Sequence, residues 1–255
     1  MRFAAVQHDI EWCERDRNFA RLAERIDDAV ARGAGFVLLS ETFSTGFAVD
    51  DPRFAEPEGG PSSSFLVEQA VRHGAWIGGT CPEVPSPNEG DPRPANTFVV
   101  AAPDGTTSRY RKIHPFTYGG EDAHVRPGRD FVTVKVGDLR VSLFVCYDLR
   151  FADEFWALAR DTDVYLVPAN WPSSRREHWM ALLRARAIEN QAWVIGCNRV
   201  GEGGGLSYGG DSLIIDPYGE VVARGDDTET TLFADVTAAR VTEIRERFRF
   251  LQDRR

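Results

Sequence analysis

The sequence predicts an α/β protein of layered sheets covered by helices, and three observations carry that prediction. Continuous apolar segments such as "GFVLLS" (35–40), "VYLVP" (164–168) and "WVIGCN" (193–198) have the length of strands buried on both faces. They alternate with segments whose apolar residues recur every three or four positions, which is the helical period. Hairpins with turn residues of known mechanism lie between them, for about a dozen strands and four or five helices in all, too mixed a pattern for an all-α or all-β domain.

The elements follow in order. "MRFAAVQ" reads as a first strand, and residues 18–32 as a helix with Phe19, Leu22, Ile26 and Val30 on one face. Gly33 and Gly35 end it, and the strand 35–40 runs directly into Glu41. Ser62–Ser64 are candidate caps for a second helix carrying Phe65, Leu66 and Val71, and "AWIGGT" is the next strand. The proline-containing stretch 82–94 reads as a surface loop. "NTFVVAA" and "TTSRYRK" then flank Pro103-Asp104-Gly105, and "FVTVKV" and "LRVSLFVC" flank Gly137-Asp138, each a hairpin. A helix (153–160), the strand 164–168, a long helix (175–191) and the strand 193–198 come next. The hairpin "DSLIID-PYG-EVVA", the strand "TTLFADV" and a last helix close the chain. No linker divides residues 1–255, so a single domain is expected.

Composition narrows the function. The 30 basic against 39 acidic residues give a net charge of −9, which disfavours nucleic-acid binding by phosphate neutralisation. No apolar run approaches the ~20 residues of a membrane span, and the N-terminus lacks a signal-peptide pattern, so a cytoplasmic protein is expected. The four cysteines (Cys13, Cys81, Cys146, Cys197) are scattered without CxxC spacing, which suits a reducing compartment better than disulfides or zinc. Neither GxGxxG nor GxxxxGK[ST] occurs, so no nucleotide cofactor and no metal is expected.

Three reactive groups share one placement. Glu41, Lys112 and Cys146 each end an apolar or alternating strand, and in α/β sheets ligands collect beyond strand ends. Taken singly, Cys146 reads equally as a core thiol, Glu41 as a salt-bridged terminus and Lys112 as a solvated charge. Arginine supplies nearly all the positive charge, however, and the only lysines are Lys112 and Lys135. Lys135 lies outward in "VTVKV". Lys112 stands where a compact ammonium, rather than a guanidinium fork, is wanted.

These residues carry a resemblance. "LLSETFSTGF" around Glu41, "YRKIH" around Lys112 and "FVCYDLRF" around Cys146 resemble the nitrilase superfamily of carbon–nitrogen hydrolases, as do "VPANWP", "HWMALLRARAIENQAWVIGCNRVG" and "GDSLIIDPYGE". The resemblance implies a four-layer α-β-β-α sandwich, a homodimer or larger assembly, no cofactor, and a catalytic set of Glu41, Lys112 and Cys146. It implies a Cys146 thioester, with Glu41 as base and then acid and an oxyanion held by Lys112 and the backbone N–H of Tyr147. A supporting glutamate is expected in the loop after the lysine, where Glu121 matches best with Asp122 beside it. Pro115 stands where the superfamily commonly has leucine.

"CYDLRF" with "ANWP" is similar to the omega-amidase branch, whose substrates are monoamides of short dicarboxylic acids such as 2-oxoglutaramate. For the substrate carboxylate, Arg175 and Arg176 are the candidates. Phe43, Tyr118 and Trp171 are candidate pocket walls, and Arg150 is expected to pair with an acid. The competing readings are a carbamoylase or nitrile hydrolase of the same superfamily, a cysteine–histidine hydrolase using His114 or His178, and a catalytically silent binding protein.

Overall fold

The computed structural model describes residues 1–51, 53–84 and 90–254. Of the loop expected over 82–94, residues 82–84 instead continue a strand that pairs with 95 and 96, and 85–89 lie outside the described residues.

Strands β1 (Arg2–Gln7), β2 (Phe36–Leu38), β3 (Glu56–Pro57), β4 (Trp76–Val84), β5 (Ala95–Ala101) and β6 (Thr107–Arg111) belong to one sheet. Strands β7 (Thr133–Val136), β8 (Leu139–Leu143), β9 (Val164–Pro168) and β10 (Trp193–Cys197) belong to a second. A two-stranded ribbon, β11 (Val200–Gly203) and β12 (Leu206–Gly209), follows; β13 (Leu213–Ile215) and β14 (Val221–Arg224) return to the second sheet and β15 (Thr230–Asp235) to the first. The first sheet runs β15-β1-β2-β4-β5-β6 with β3 beside β4, and the second runs β14-β13-β10-β9-β8-β7.

Each sheet has the same plan. Three parallel strands (β1-β2-β4 and β8-β9-β10) are flanked by antiparallel ones. Parallel neighbours need crossovers, and helices α1 (Arg15–Ala31) and α2 (Pro61–His73) supply them in the first half. Helices α4 (Ala152–Leu158) and α5 (Arg176–Asn190) do so in the second, and the one-turn α3 (Glu121–His124) and the terminal α6 (Ala238–Arg247) complete the set.

The continuous apolar strands are explained by cover on both faces. In β1, Phe3 and Ala5 face the second sheet while Ala4 and Val6 face α1 and α2. Leu22 and Ile26 of α1 and Leu66 of α2 close the outer layer on one side; Trp179, Leu183 and Ala187 of α5 close it on the other. The result is the four-layer α-β-β-α sandwich. Among the described residues, no helix is long and apolar enough to cross a membrane.

Two local expectations are corrected. The N-cap of α2 is Gly60, with Pro61 at the first helical position, where proline's fixed φ and missing N–H cost nothing. Ser62 is buried instead, and its hydroxyl donates to Glu56 Oε1 at 2.5 Å. Val71 lies on the exposed face of that helix.

One close approach fixes α5 on its sheet. A Cβ on Gly196 of β10 would lie 2.4 Å from Leu183 Cδ1 and 2.8 Å from Trp179 Cζ2. Trp179 cannot swing away, because it is fully buried and its Nε1 donates to the Asp211 carbonyl at 2.7 Å. Gly196→Ala is expected to cost about 1–3 kcal/mol by overpacking. Thermal denaturation of the variant checks this, and an unchanged midpoint refutes it.

Candidate active site

Glu41 enters the site on a sharp turn. After β2 the Leu39 N–H bonds the Gly78 carbonyl at 2.7 Å, and Thr42 adopts φ +44° with its N–H on Thr80 Oγ1 at 2.7 Å. Lys112 follows β6 directly, pinned through its N–H to the Asn96 carbonyl (2.9 Å) and through its carbonyl to the Gly128 N–H (2.8 Å). Cys146 comes three residues after β8 rather than within it. It opens a 3₁₀ turn, Cys146–Arg150, with φ +46°, a conformation a non-glycine residue holds only where its surroundings enforce it.

These three turns and the one-turn α3 gather two carboxylates, an ammonium and a thiol, with the charged groups out of solvent and the thiol at the cleft floor. Lys112 Nζ donates to Glu41 Oε1 at 2.9 Å and to Glu121 Oε2 at 2.8 Å, and all three side chains are completely buried. Asn96 Nδ2 bridges the two acids, 2.8 Å from Glu41 Oε1 and 3.1 Å from Glu121 Oε1. The backbone N–H of Asn170, just past β9, holds Glu41 Oε2 at 2.8 Å, and Asn170 Nδ2 donates to the Glu41 carbonyl at 2.6 Å. Glu121 Oε2 also accepts the Phe116 N–H at 2.6 Å, which folds the 116–121 loop back over Lys112. Asp122 is exposed and faces away, so it is Glu121 that meets the ammonium.

The electrostatics follow from burial and pairing. Burial alone pulls the Lys112 ammonium down, but the facing carboxylates of Glu121 and Glu41 outweigh it and hold the lysine well above its ordinary range. Burial pushes Glu121 up despite Lys112. Burial, and then the charge of Glu41, push the Cys146 thiol well above its ordinary value against the pull of Lys112. The resting thiol is therefore protonated, with a carboxylate beside it.

A cleft of about 460 Å³ opens onto Lys112 and Cys146, walled by Trp12, Phe47, Phe116 and Tyr208. A narrow recess continues past Cys146, Asn170 and Pro172 to Trp171, Arg150 and Arg175. A roomier cleft of about 630 Å³ lies elsewhere, among Arg109, Arg129 and Asp130, and touches none of these groups.

The remaining sequence candidates divide. Trp171 and Arg175 line the recess, with Trp171 Nε1 donating to the Arg175 carbonyl at 2.8 Å. Phe43 is corrected: the Thr42 turn directs it into the helix layer, fully buried, 6.1 Å from the Phe65 ring. Phe47, four residues on, takes the place at the cleft, with Lys112 Nζ 5.4 Å from its ring centre. Tyr118 is 86% exposed at the outer rim and does not wall the cleft. Arg176 is turned to the opposite side, where Asp211 Oδ1 holds it at 2.8 Å. Arg150 has no acid partner among the described residues. Its Nη2 lies 3.3 Å from His178 Nδ1, and its guanidinium covers the Trp171 ring at 4.8 Å. His114 is engaged by Asp148 and Glu154, so neither candidate histidine stands at the thiol.

Sequence reasoning missed Asn96, Asn170, Asp148 and Tyr208. Asn170 had a signal in "ANWP"; Tyr208 sits on the β11–β12 ribbon, whose glycines hid it.

With this geometry, the class of protein is set by comparison. The carbon–nitrogen hydrolase family model matches residues 2–246, and the chain belongs to that enzyme family. Among particular relatives, it is 34% identical to the omega-amidase YafV of Escherichia coli (strain K12), over 99% of this chain and 96% of the relative. It is 30% identical to the 2-oxoglutaramate amidase of Bacillus subtilis (strain 168), over 95% and 93%. The structure of XC1258 from Xanthomonas campestris, a CN-hydrolase superfamily protein, superposes with a TM-score of 0.93 at 33% identity and covers 100% of this chain and 97% of that one.

Proposed function

We propose that the protein hydrolyses the terminal amide of short dicarboxylic monoamides of the 2-oxoglutaramate type, through a thioester on Cys146. The observation that carries this reading is the buried Glu41–Lys112–Glu121 ion-paired cluster beside the Cys146 thiol at the floor of a cleft. The omega-amidase and 2-oxoglutaramate amidase relatives support the choice of substrate.

The chemistry follows from the groups. Because the thiol is protonated at rest, attack needs a base in contact with it, and Glu41 takes the Sγ proton as sulfur bonds to the carbonyl carbon. The carbonyl electron pair moves to oxygen, and this oxyanion meets the Lys112 ammonium and the Tyr147 N–H in the first turn after the nucleophile. One such donor is worth about 3–4 kcal/mol in comparable sites. Glu41 returns the proton to nitrogen, the C–N bond breaks, and ammonia leaves a thioester. Glu41 next takes a proton from water as the water oxygen attacks. The C–S bond breaks, the sulfur regains its proton, and the acid is released. Glu121 and Asn96 keep Lys112 and Glu41 in register throughout.

The distal carboxylate is assigned to the mouth of the recess, whose own free space is only about 20 Å³. Arg150 and Arg175 are guanidiniums at its wall, stacked on aromatic rings and without an acid partner among the described residues. A charge-assisted bond to a carboxylate contributes about 1.5–3 kcal/mol. Arg150→Leu and Arg175→Leu are each expected to lower kcat/KM for the monoamides about 10- to 100-fold, mainly through KM, and to leave a neutral amide such as butyramide unaffected. Equal losses on both substrates refute the assignment.

The test of the function itself is ammonia release from 2-oxoglutaramate, succinamate, glutamine, a carbamoyl amino acid and a simple nitrile. Release confined to the dicarboxylic monoamides is the expected result. Preferential release from the carbamoyl compound or the nitrile overturns the substrate assignment.

A further inference from the structure

Asp148 lies two residues beyond Cys146, and its carboxylate has no solvent contact. It accepts four hydrogen bonds. Oδ2 takes the Tyr110 hydroxyl at 2.8 Å and the Val145 N–H at 2.9 Å, while Oδ1 takes the His114 N–H at 2.9 Å and faces His114 Nδ1 at 3.2 Å. Tyr110 and His114 bracket Lys112 by two residues on either side, and Val145 immediately precedes Cys146. One carboxylate therefore ties the lysine segment of the first sheet to the cysteine turn of the second. We propose that Asp148 is a positioning residue of this enzyme, setting the Lys112–Cys146 geometry by welding these two segments together. The inference rests on the amidase reading above.

Three further observations bear on it. Cys146 sits at φ +46°, so the turn needs an external hold, and Asp148 supplies one at the residue just before it. A carboxylate this deeply buried needs compensation, and His114 Nδ1 faces it; burial pulls that imidazole down, but the hydrogen bond and charge of Asp148 hold it above its ordinary value. The imidazole is fixed in turn: it stacks on Phe151 with ring centres 3.5 Å apart, and its Nε2 lies 3.4 Å from Glu154 Oε1. The two ring nitrogens face different carboxylates, so the imidazole links Asp148 to Glu154.

Asp148 is outside the cleft lining, which separates its effect from that of a substrate ligand. Asp148→Asn keeps the shape but replaces one acceptor oxygen by a donor, so that either the Val145 or the His114 N–H loses its partner. A displacement of reacting groups by about 1 Å costs on the order of 100-fold in rate. The expected result is a folded protein with kcat lowered about 100-fold and KM within about threefold of wild type. Alkylation of Cys146 by iodoacetamide, read by mass spectrometry without any substrate, is expected to shift in rate and in pH profile.

A kcat within twofold of wild type, or a loss confined to KM, overturns the proposal. So does an unchanged alkylation profile. If Asp148→Asn does not fold, Tyr110→Phe decides, since it deletes one hydroxyl and keeps the ring packed. A measurable fall in kcat with the wild-type thermal midpoint supports positioning, and an unchanged kcat overturns it. Should wild type release no ammonia from any dicarboxylic monoamide, the amidase reading fails, and the alkylation arm still judges the role of Asp148.

Discussion

Cys146→Ala is expected to abolish turnover, by about 10⁴-fold or more, while the protein stays folded. The first part follows from the chemistry: Cys146 is the one thiol among the described residues that lines the cleft beside Lys112. The second follows from the location. Cys146 is 8% exposed at the floor of an open cleft, so removing its sulfur enlarges a solvent-connected space instead of leaving a sealed cavity. Alanine also carries a Cβ and meets the same φ of +46° at no extra cost. Ammonia release and a thermal melt measured side by side check both parts. Residual activity above about a hundredth of wild type, well over what nucleophile deletion leaves in comparable enzymes, removes Cys146 from its role.

Lys112→Met is expected to be lethal to activity and damaging to the fold as well. The ammonium lies between two completely buried carboxylates, 2.9 Å and 2.8 Å from them. Methionine matches its bulk but leaves Glu41 and Glu121 facing one another with only Asn96 between them. Breaking a buried ion pair by removing one partner costs about 3–5 kcal/mol. The sign of the pH response follows. Burial already raises Glu121 in the intact protein, so its folded form holds a proton that the unfolded chain releases earlier. A group raised in this way contributes stability at low pH that is lost as pH climbs through its folded value. Without the lysine the rise is larger. The thermal midpoint of the variant is expected to fall more steeply than that of wild type as pH climbs from the ordinary carboxylate range to neutral. A midpoint equal to wild type at both ends refutes the account.

Much of the sandwich was legible because its strands are buried on both faces and announce themselves as unbroken apolar runs. Glu41 and Cys146 were legible for a related reason, since a reactive group at the end of such a run stands out from its neighbours, and Lys112 was legible as one of only two lysines in an arginine-rich chain. What the pattern could not give is direction within a turn. In "TFSTGF" two phenylalanines are equivalent by composition, and the positive φ of Thr42 sends Phe43 to the helices and leaves Phe47 for the cleft. Arg150 and Arg176 were exchanged in the same way. Both are arginines near strand ends, and only the fold puts Asp211 beside Arg176 and aromatic rings beneath Arg150. The β11–β12 ribbon escaped notice because residues 200–210 hold six glycines and pair through backbone alone. Asn96 escaped because a polar residue opening the strand "NTFVVAA" reads as the edge of a loop, although here it spans both acids.

The two sheets divide the reacting groups between them. Glu41 and Lys112 extend from β2 and β6 of the first, Cys146 and Asn170 from β8 and β9 of the second. On the proposed mechanism neither half of the chain holds all the reacting groups, so catalytic competence would be a property of their docking. During refolding from denaturant, secondary structure and much of each sheet can form before the halves meet, but turnover cannot. Recovery of activity therefore serves as a clock for the final assembly step. It should lag the return of far-ultraviolet ellipticity, and the chain should remain catalytically silent until nearly its whole length has left the ribosome.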